Sequence, residues 1–509
     1  YHASTGSDRG QLREQFFEKK ADYNLVITTP HSLHNAEDRT LFFRKVSFEY
    51  LVCDEAHCLK NANSHRYNEM SRVVRCRQRL LLTGTPVQNS LGELATLLGF
   101  ALGGNGHSAV ARELKALADE PPRRALMQLQ VASAPLILRR LKGDVLTELP
   151  PKRGIVVLCD MVDRQRGLYE AQMADGRQAR GIKGWVQDAF WKLRRTCLHP
   201  LLGKNRLTRA QTSKLVEELK GVRPDFKSAP RGQAEREVES WSDFEKHQAA
   251  VEYSLSPEFR VSNEELLASA KVIELRRILD ERAPIGGKTL VFSQFTQMLD
   301  VVEAALGALK VPYHRLDGKT AIQDRRELVS SFQSNGGPPV FLISTKSGGV
   351  GLNLTAANTV VMLDLDFNPQ NSRQAEDRVH RLGQTREVTV YYLICKGTVE
   401  EMVLRRNLIK MRLDRHFGGQ RGALEEAASE SARQRRQDAE VQRRLALDPG
   451  GADGSGERSA NGSATGQAVW SQDKGEYVGD DDDASAARQC EKQVLGDLRN
   501  LLMLDGQPS

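Results

Sequence analysis

The sequence predicts an α/β fold: two segments of parallel sheet flanked by helices, a helical stretch between them, and a disordered C-terminal tail. Three observations carry this. Short, unbroken apolar runs alternate with helical patterns in two separate regions. Those runs end in polar residues, as buried parallel strands do. Beyond residue 412 the pattern gives way to Arg/Glu/Ala-rich and then Gly/Ser/Asn-rich sequence, which has too little apolar surface to order itself.

In the first region, residues 1–100, the strand candidates are Asn24–Thr29, Tyr50–Cys53 and Arg79–Thr83, with a helix expected from Leu91. Residues 101–268 read as a mostly helical protrusion, a link and a polar, charge-mixed insert near 203–262, broken by Pro121-Pro122-Arg123-Arg124. The second α/β region, residues 269–412, offers the strands Lys288–Ser293, Pro339–Ser344, Thr359–Asp364 and Val388–Leu393. Helical patterns separate them, as over Thr296–Leu309 and Ala321–Gln333. Residues 413–484 form the tail, ending near the acidic run Asp480–Asp483. A short amphipathic helix is expected within 485–509; its Val494, Leu498, Leu501 and Leu502 fall at helical spacing and suit docking on a protein partner.

Composition bounds the function. At 509 residues the chain exceeds a single core. No run of about eighteen apolar residues exists, so no helical membrane span is expected. The net charge of +7 sets 73 Lys+Arg against 66 Asp+Glu, an excess compatible with nucleic acid but too small to argue for it alone. Cys53, Cys58, Cys76, Cys159, Cys197, Cys395 and Cys490 form no C-x-x-C pair, and read as reduced, buried small residues. The first residue is Tyr1, which suggests a chain cut from something longer.

Four stretches carry chemistry. Asp54-Glu55-Ala56-His57 follows an apolar run. Adjacent carboxylates at a strand end suit Mg²⁺ on the first and water activation by the second, or simply a solvated acidic turn. Thr83-Gly84-Thr85-Pro86-Val87-Gln88-Asn89 follows the next run as a tight hydroxyl-bearing turn. Ser344 to Leu354 holds three glycines that permit close approach to a ligand, with Thr345 and Lys346 offered to a phosphate, or is simply a strand-to-helix connection. In Gln374 to Thr385, Arg378 and Arg381 are three apart, so a helix would project both from one face, toward a γ-phosphate or simply as a basic solvated face with local salt bridges to Glu376 and Asp377.

Together and in this order, these motifs resemble those of Swi/Snf-type motors of helicase superfamily two. Asp54–His57 resembles motif II (a DEAH box), Thr83–Asn89 motif III, Ser344–Leu354 motif V and Gln374–Gln384 motif VI. Leu290–Phe295 is similar to motif IV, Arg315-Leu316-Asp317-Gly318 to the next signature, and Leu138-Arg139-Arg140 with Leu149-Pro150-Pro151-Lys152 to the link into the second lobe. Cys197–Leu202 resembles the helical protrusion. Within that family the chain resembles the branch of the matrix-associated, actin-dependent regulators of chromatin containing a DEAD/H box. Its supporting pieces are Asp38–Phe42, Leu59-Lys60-Asn61, Ser242–Glu245 and Phe292–Asp300.

The resemblance implies two RecA-like lobes and an ATP-dependent, nuclear DNA translocase that shifts or evicts nucleosomes, with ATP and Mg²⁺ as cofactors and duplex DNA as partner. It makes Asp54 and Glu55 the metal and water residues, and Arg378 and Arg381 arginine fingers. It brings Gln374 and Gly351 to the nucleotide, and Thr28, Thr29, Thr345 and Lys346 to the DNA backbone. Thr83 and Thr85 would couple hydrolysis to lobe movement.

The sequence departs from that family in two places. A Walker A loop, G-x-x-x-x-G-K-[ST], should precede motif II by about a hundred residues, yet only 53 residues precede Asp54. Gly287-Lys288-Thr289 is tempting but has Arg282 where the first glycine belongs and leads into a strand candidate. The expectation is an N-terminally cut chain that does not turn over ATP, the alternative being an ATPase-deficient DNA- or nucleosome-binding module. Phe367 stands where the family has Trp, with the same packing or DNA-strand role expected.

Overall fold

The computed structural model describes residues 10–12, 14–15, 24–84, 91–103, 133, 135–138, 140, 142–146, 148–178, 185–204, 206–348, 352–416 and 467–470. They fall into two compact units, one up to Val145 together with Lys410–His416 and one from Leu146 to Ile409 together with Gln467–Trp470. The expected C-terminal helix within 485–509 and Cys490 lie outside the described residues.

In the first unit β1 (Phe48–Cys53) and β2 (Cys76–Leu81) pair in parallel, Cys53 opposite Leu81. Helix α1 (His65–Val73) connects them, its N-terminus capped by Ser64 Oγ, which accepts from the Tyr67 N–H at 3.2 Å. Helix α2 (Leu91–Ala101) starts where expected. Ala56, Leu59, Tyr67, Met70, Val73 and Phe100 form a small core. Arg79 stacks over the Phe100 ring at 4.6 Å and donates to the Phe100 carbonyl at 3.0 Å. The other sheet face stays open among the described residues: Tyr50, Val52, Leu80 and Leu82 are 58, 54, 51 and 45% exposed.

The strand expected at Asn24–Thr29 does not form. Residues 25–29 belong to no ladder, Leu25 and Ile27 are exposed, and a 3₁₀ turn begins at Pro30. An apolar run becomes a strand only when a neighbour takes its N–H and C=O groups.

The second unit is built on a seven-stranded sheet of order β5-β6-β4-β7-β8-β3-β9. Its strands are β3 (Lys152–Cys159), β4 (Lys288–Ser293), β5 (Tyr313–Leu316), β6 (Val340–Ser344), β7 (Ala357–Met362), β8 (Val388–Cys395) and β9 (Gln467–Trp470). All pair in parallel except β9, which runs antiparallel to β3. Alternate residues feed two cores. Val291, Leu342, Val361 and Leu393 meet Leu275, Met298 and Val302. Leu290, Phe341, Val360 and Val390 meet Phe332, Ala375 and Val379.

This sheet also draws on two stretches outside residues 269–412. β3 arises within the stretch 101–268 that reads as protrusion, link and insert, yet it lies between β8 and β9. Gln467–Trp470, inside the tail expected to be disordered, is its antiparallel neighbour. The charge-mixed insert is folded. Helices α3 (Arg209–Val222), α4 (Arg231–Ser240) and α5 (Asp243–Glu252) close over Leu215, Val216, Leu219, Phe226, Val238, Ala250 and Phe259. Each helix gives one apolar stripe inward, and α5 also buries the pair Lys246–Asp243 at 3.5 Å.

Before this bundle, the helix Trp185–Leu198 is pinned from inside. The Arg194 guanidinium, 1% exposed, donates to the Leu365 carbonyl at 2.5 Å and lies 5.4–6.0 Å from the ring centroids of Phe190, Trp191, Phe295 and Phe367. Phe367 packs on Phe190 at 5.4 Å. Of its two expected roles, packing is the one these contacts describe.

Candidate functional site

At the C-terminal end of β1 the chain turns through Asp54 and Glu55, both exposed. Asp54 Oδ1 accepts from the Glu55 N–H at 2.9 Å, fixing one carboxylate oxygen of the pair. Glu55 adopts the left-handed conformation, φ 49° and ψ 45°. A non-glycine residue there costs roughly 1 kcal/mol or more, and such strain concentrates at working sites. His57 Nδ1 stands 3.1 Å from Glu55 Oε2. Two exposed carboxylates at a strand end, one anchored by the backbone, fit a hydrated Mg²⁺ held by Asp54 with Glu55 beside it.

This turn is tied to the end of β2. The Leu82 N–H donates to the Cys53 carbonyl and the Ala56 N–H to the Leu82 carbonyl, each at 2.9 Å. The structure therefore brings the Asp54-Glu55 turn against Leu82–Thr83, while Thr85 lies outside the described residues. Thr28 and Thr29 are exposed, the Thr28 hydroxyl bonded to Ser32 Oγ at 2.8 Å.

In the second unit, β6 ends in a single helical turn, Thr345–Gly348, with Thr345 buried. Lys346 lies on that turn, and Gly351 is outside the described residues. Helix α6 (Pro369–Glu376) carries Gln374, and its N-cap Asn368 accepts from the Gln370 N–H at 3.2 Å.

Here the expected geometry needs correcting. Arg378 and Arg381 are not on a helix: α6 stops at Glu376, and the two arginines follow on successive turns. Local backbone bonds within those turns are joined by bonds from outside. The Leu354 N–H donates to the Arg378 carbonyl at 3.0 Å, and Arg381 Nη1 reaches the Leu352 carbonyl at 3.4 Å. Buried Gln384 ties the turn shut: its amide donates to the carbonyls of Thr355, Ala357 and Val379, and its oxygen accepts from the N–H groups of Thr385 and Arg386. Gly383, at φ +97°, supplies the reversal before it. Asp54 and Glu55 thus belong to the first unit, and Gln374, Arg378 and Arg381 to the second.

Sequence reasoning gave no role to Gln384, and offered Glu376 only as a local salt-bridge partner of the arginines; its 1%-exposed carboxylate instead meets Lys152 Nζ at 2.8 Å and the Tyr392 hydroxyl at 2.6 Å. Burial, then that carboxylate, pushes the Tyr392 phenol well up. Only their place inside or beside the motif could have flagged them.

Neither Gly-Lys-Thr triplet forms a phosphate loop. Lys288 opens strand β4, and its ammonium is spent on the carbonyls of Phe332 and Ser334. Gly318-Lys319-Thr320 does follow a strand and precede a helix, Ile322–Gln333. There, however, Asp317 Oδ1 takes the Lys319 N–H at 2.8 Å, and Thr320 Oγ1 accepts from the Asp317 N–H at 3.0 Å. A carboxylate sits where a phosphate would need open amides. Asp317 in turn pairs with Arg315 at 2.8 Å, an arginine also held by Asp300 and Glu303.

Cys53, Cys159, Cys197 and Cys395 are buried and free, and Cys58 and Cys76 are half-buried and free. Ligand atoms of Cys197, Cys395 and Glu400 lie within 4.8 Å of one another. The Glu400 oxygens are already engaged by Lys271 Nζ at 2.7 Å and the Cys395 N–H at 2.9 Å, which fills the place a cation would take. No described helix is long and apolar enough to cross a membrane.

Comparison with known proteins agrees with these motifs. The profile of the SNF2-related domain matches residues 3–202, and that of the helicase conserved C-terminal domain residues 270–383. The chain is 36% identical over 444 residues to the "SWI/SNF-related matrix-associated actin-dependent regulator of chromatin subfamily A containing DEAD/H box 1A" of Danio rerio, covering 84% of this chain and 45% of the relative. It is 37% identical over 422 residues to the Homo sapiens protein named "containing DEAD/H box 1", covering 80% and 41%. With the "ATP-dependent helicase fft1" of Schizosaccharomyces pombe it shares 36% over 426 residues, covering 81% and 44%. The chain therefore spans less than half the length of these relatives. Among solved structures, the C-terminal part of the Fun30 ATPase domain matches with a TM-score of 0.47 at 30% identity, covering 51% of this chain and 90% of that one.

Proposed function

The chain belongs to the SNF2-related helicase family, and from that premise we propose that it is the motor portion of an ATP-driven translocase that moves on duplex DNA and repositions or evicts nucleosomes in the nucleus. The observation that carries this reading is the Asp54-Glu55 turn. Two exposed carboxylates end a parallel strand, one is anchored by its neighbour's N–H, and the other is held in a left-handed backbone. Backbone strain concentrates at working sites, and an acidic pair suits a metal and its water.

Each residue has a stated task in this reading. Asp54 would hold Mg²⁺ and Glu55 would polarise the attacking water. Arg378 and Arg381 would neutralise charge developing on the transferred phosphoryl group. Gln374 and Gly351 would approach the nucleotide, and Thr83 and Thr85 would couple hydrolysis to movement. Thr28, Thr29, Thr345 and Lys346 would follow the DNA backbone. Bound ATP would supply the phosphoryl group.

One observation favours a second reading. No G-x-x-x-x-G-K-[ST] occurs in the 509 residues, and both Gly-Lys-Thr triplets are otherwise engaged. As an ATPase-deficient module, the same chain would only dock on DNA or nucleosomes. Purified alone, it should show no DNA-stimulated hydrolysis above background; turnover near that of a complete motor would refute the loop argument. In the full-length gene product Glu55→Gln should abolish hydrolysis and retain ATP binding. Normal turnover in that variant would remove Glu55 from the water-polarising role.

A further inference from the structure

Leu149-Pro150-Pro151-Lys152 lies near the start of the second unit, and three consecutive residues of that segment grip the arginine-bearing turn or the strand behind it. The Pro150 carbonyl accepts from His380 Nε2 at 2.7 Å. The Pro151 carbonyl accepts from the Val388 N–H at 3.1 Å. Lys152 Nζ pairs with Glu376 Oε2 at 2.8 Å, with side chains 9% and 1% exposed. Glu376 Oε1 accepts from the Tyr392 hydroxyl at 2.6 Å.

Glu376 is the last residue of α6, and its carbonyl accepts from the N–H groups of Val379 and His380, at 3.0 Å each. Arg378 lies between those contacts and Arg381 one residue beyond them. The grip is stiff. Proline fixes φ, so the Pro150 and Pro151 carbonyls present themselves with little freedom. A buried, hydrogen-bonded ion pair tolerates little displacement, because moving one partner strands the other charge. His380 Nε2 must carry the proton, since a carbonyl only accepts.

We propose that the Pro150–Lys152 segment is a positioning element for the arginine turn, with Lys152 and His380 as its positioning residues. The chain that enters the second unit from the first thereby sets where Arg378 and Arg381 stand. This rests on the reading of those arginines as phosphate-directed.

The test uses the full-length gene product, following DNA-stimulated hydrolysis and melting temperature together. Lys152→Met should lower kcat by about tenfold or more with KM for ATP within about twofold, because it misplaces a charge that acts in the transition state. Lys152→Met also leaves Glu376 buried and unpaired, so its melting temperature should fall. Adding Glu376→Gln removes that stranded charge: the melting temperature should recover while kcat stays low. Tyr392→Phe, which takes only one hydroxyl from Glu376, covers the case that Lys152→Met does not fold, with an expected loss of about threefold in kcat. Recovery of kcat together with melting temperature in the double variant would reduce Lys152 to a purely structural residue and overturn the proposal. So would wild-type kcat in Lys152→Met or in Tyr392→Phe while Arg381→Ala is inactive. Full turnover in Arg381→Ala would instead sink the arginine reading on which the proposal stands.

Discussion

At the scale of single residues, side chains at the candidate site are held by partners far along the sequence. Arg381 reaches the Leu352 carbonyl, and Gln384 gathers three carbonyls around the turn behind it. In the full-length gene product Arg381→Ala should lose hydrolysis by about a hundredfold or more while DNA affinity stays within about twofold. Parallel loss of both, measured by turnover and by DNA titration, would make Arg381 a DNA contact. The acidic pair and the arginines were legible because each falls in a contiguous string whose residue types announce their chemistry. Lys152 and Glu376 were not, because they are 224 positions apart and nothing local marks a lysine before a strand as an ion-pair partner. The helix drawn through Arg378 and Arg381 failed for a related reason. Spacing of three fits a turn as well as a helix, and the bonds that choose between them come from residues 352–357 and 384.

At the scale of elements, long and strongly apolar strands were readable and short or mixed ones were not. β4, β6, β7 and β8 lie within a residue or two of the apolar runs that predict them. β5 is four residues, Tyr-His-Arg-Leu, with too little pattern to register. β3 opens Lys-Arg-Gly and sits far in sequence from its partner, so it reads as link. The insert looked merely polar because its apolar residues are spread over several short helices. Its third helix, α5, carries a reciprocal cap: Ser242 Oγ accepts from the Glu245 N–H at 3.2 Å, and Glu245 Oε2 accepts from the Ser242 N–H at 2.7 Å. Ser242→Ala should cost about 1 kcal/mol, read as a lower urea midpoint with an unchanged slope. No measurable change would mean that the cap is redundant with the Phe244 and Ala250 packing.

At the scale of the whole molecule, acid stability depends on a histidine that no reaction uses. His199 is buried, its Nε2 donating to the Leu266 carbonyl at 3.1 Å and its Nδ1 accepting from the Leu201 N–H at 3.1 Å. The Nδ1 bond needs the neutral ring, and burial lowers its pKa from 6.5 to about 4. The unfolded chain therefore binds the proton first as pH falls. The contribution is complete above pH 6.5, shrinks between 6.5 and 4, and is lost below, amounting to on the order of 3 kcal/mol. Urea midpoints should fall across that window, and His199→Gln should flatten the fall; an unchanged slope would assign acid sensitivity to other groups. The first unit carries a different feature at this scale, an apolar sheet face of Tyr50, Val52, Leu80 and Leu82 left open among the described residues.

The pairing of β3 with β8 also has a consequence for how the molecule is made. Lys152 lies opposite Val388 and Cys159 opposite Cys395, so the first strand of the second unit to leave the ribosome borders one of the last. Until residue 395 has emerged, β3 has no parallel neighbour for its ladder, and Ile155, Val156 and Val157 wait without their final cover. Closing so long a loop is slow. Synthesis of this unit should therefore pass through a window in which a chaperone, rather than the sheet, shields that strand.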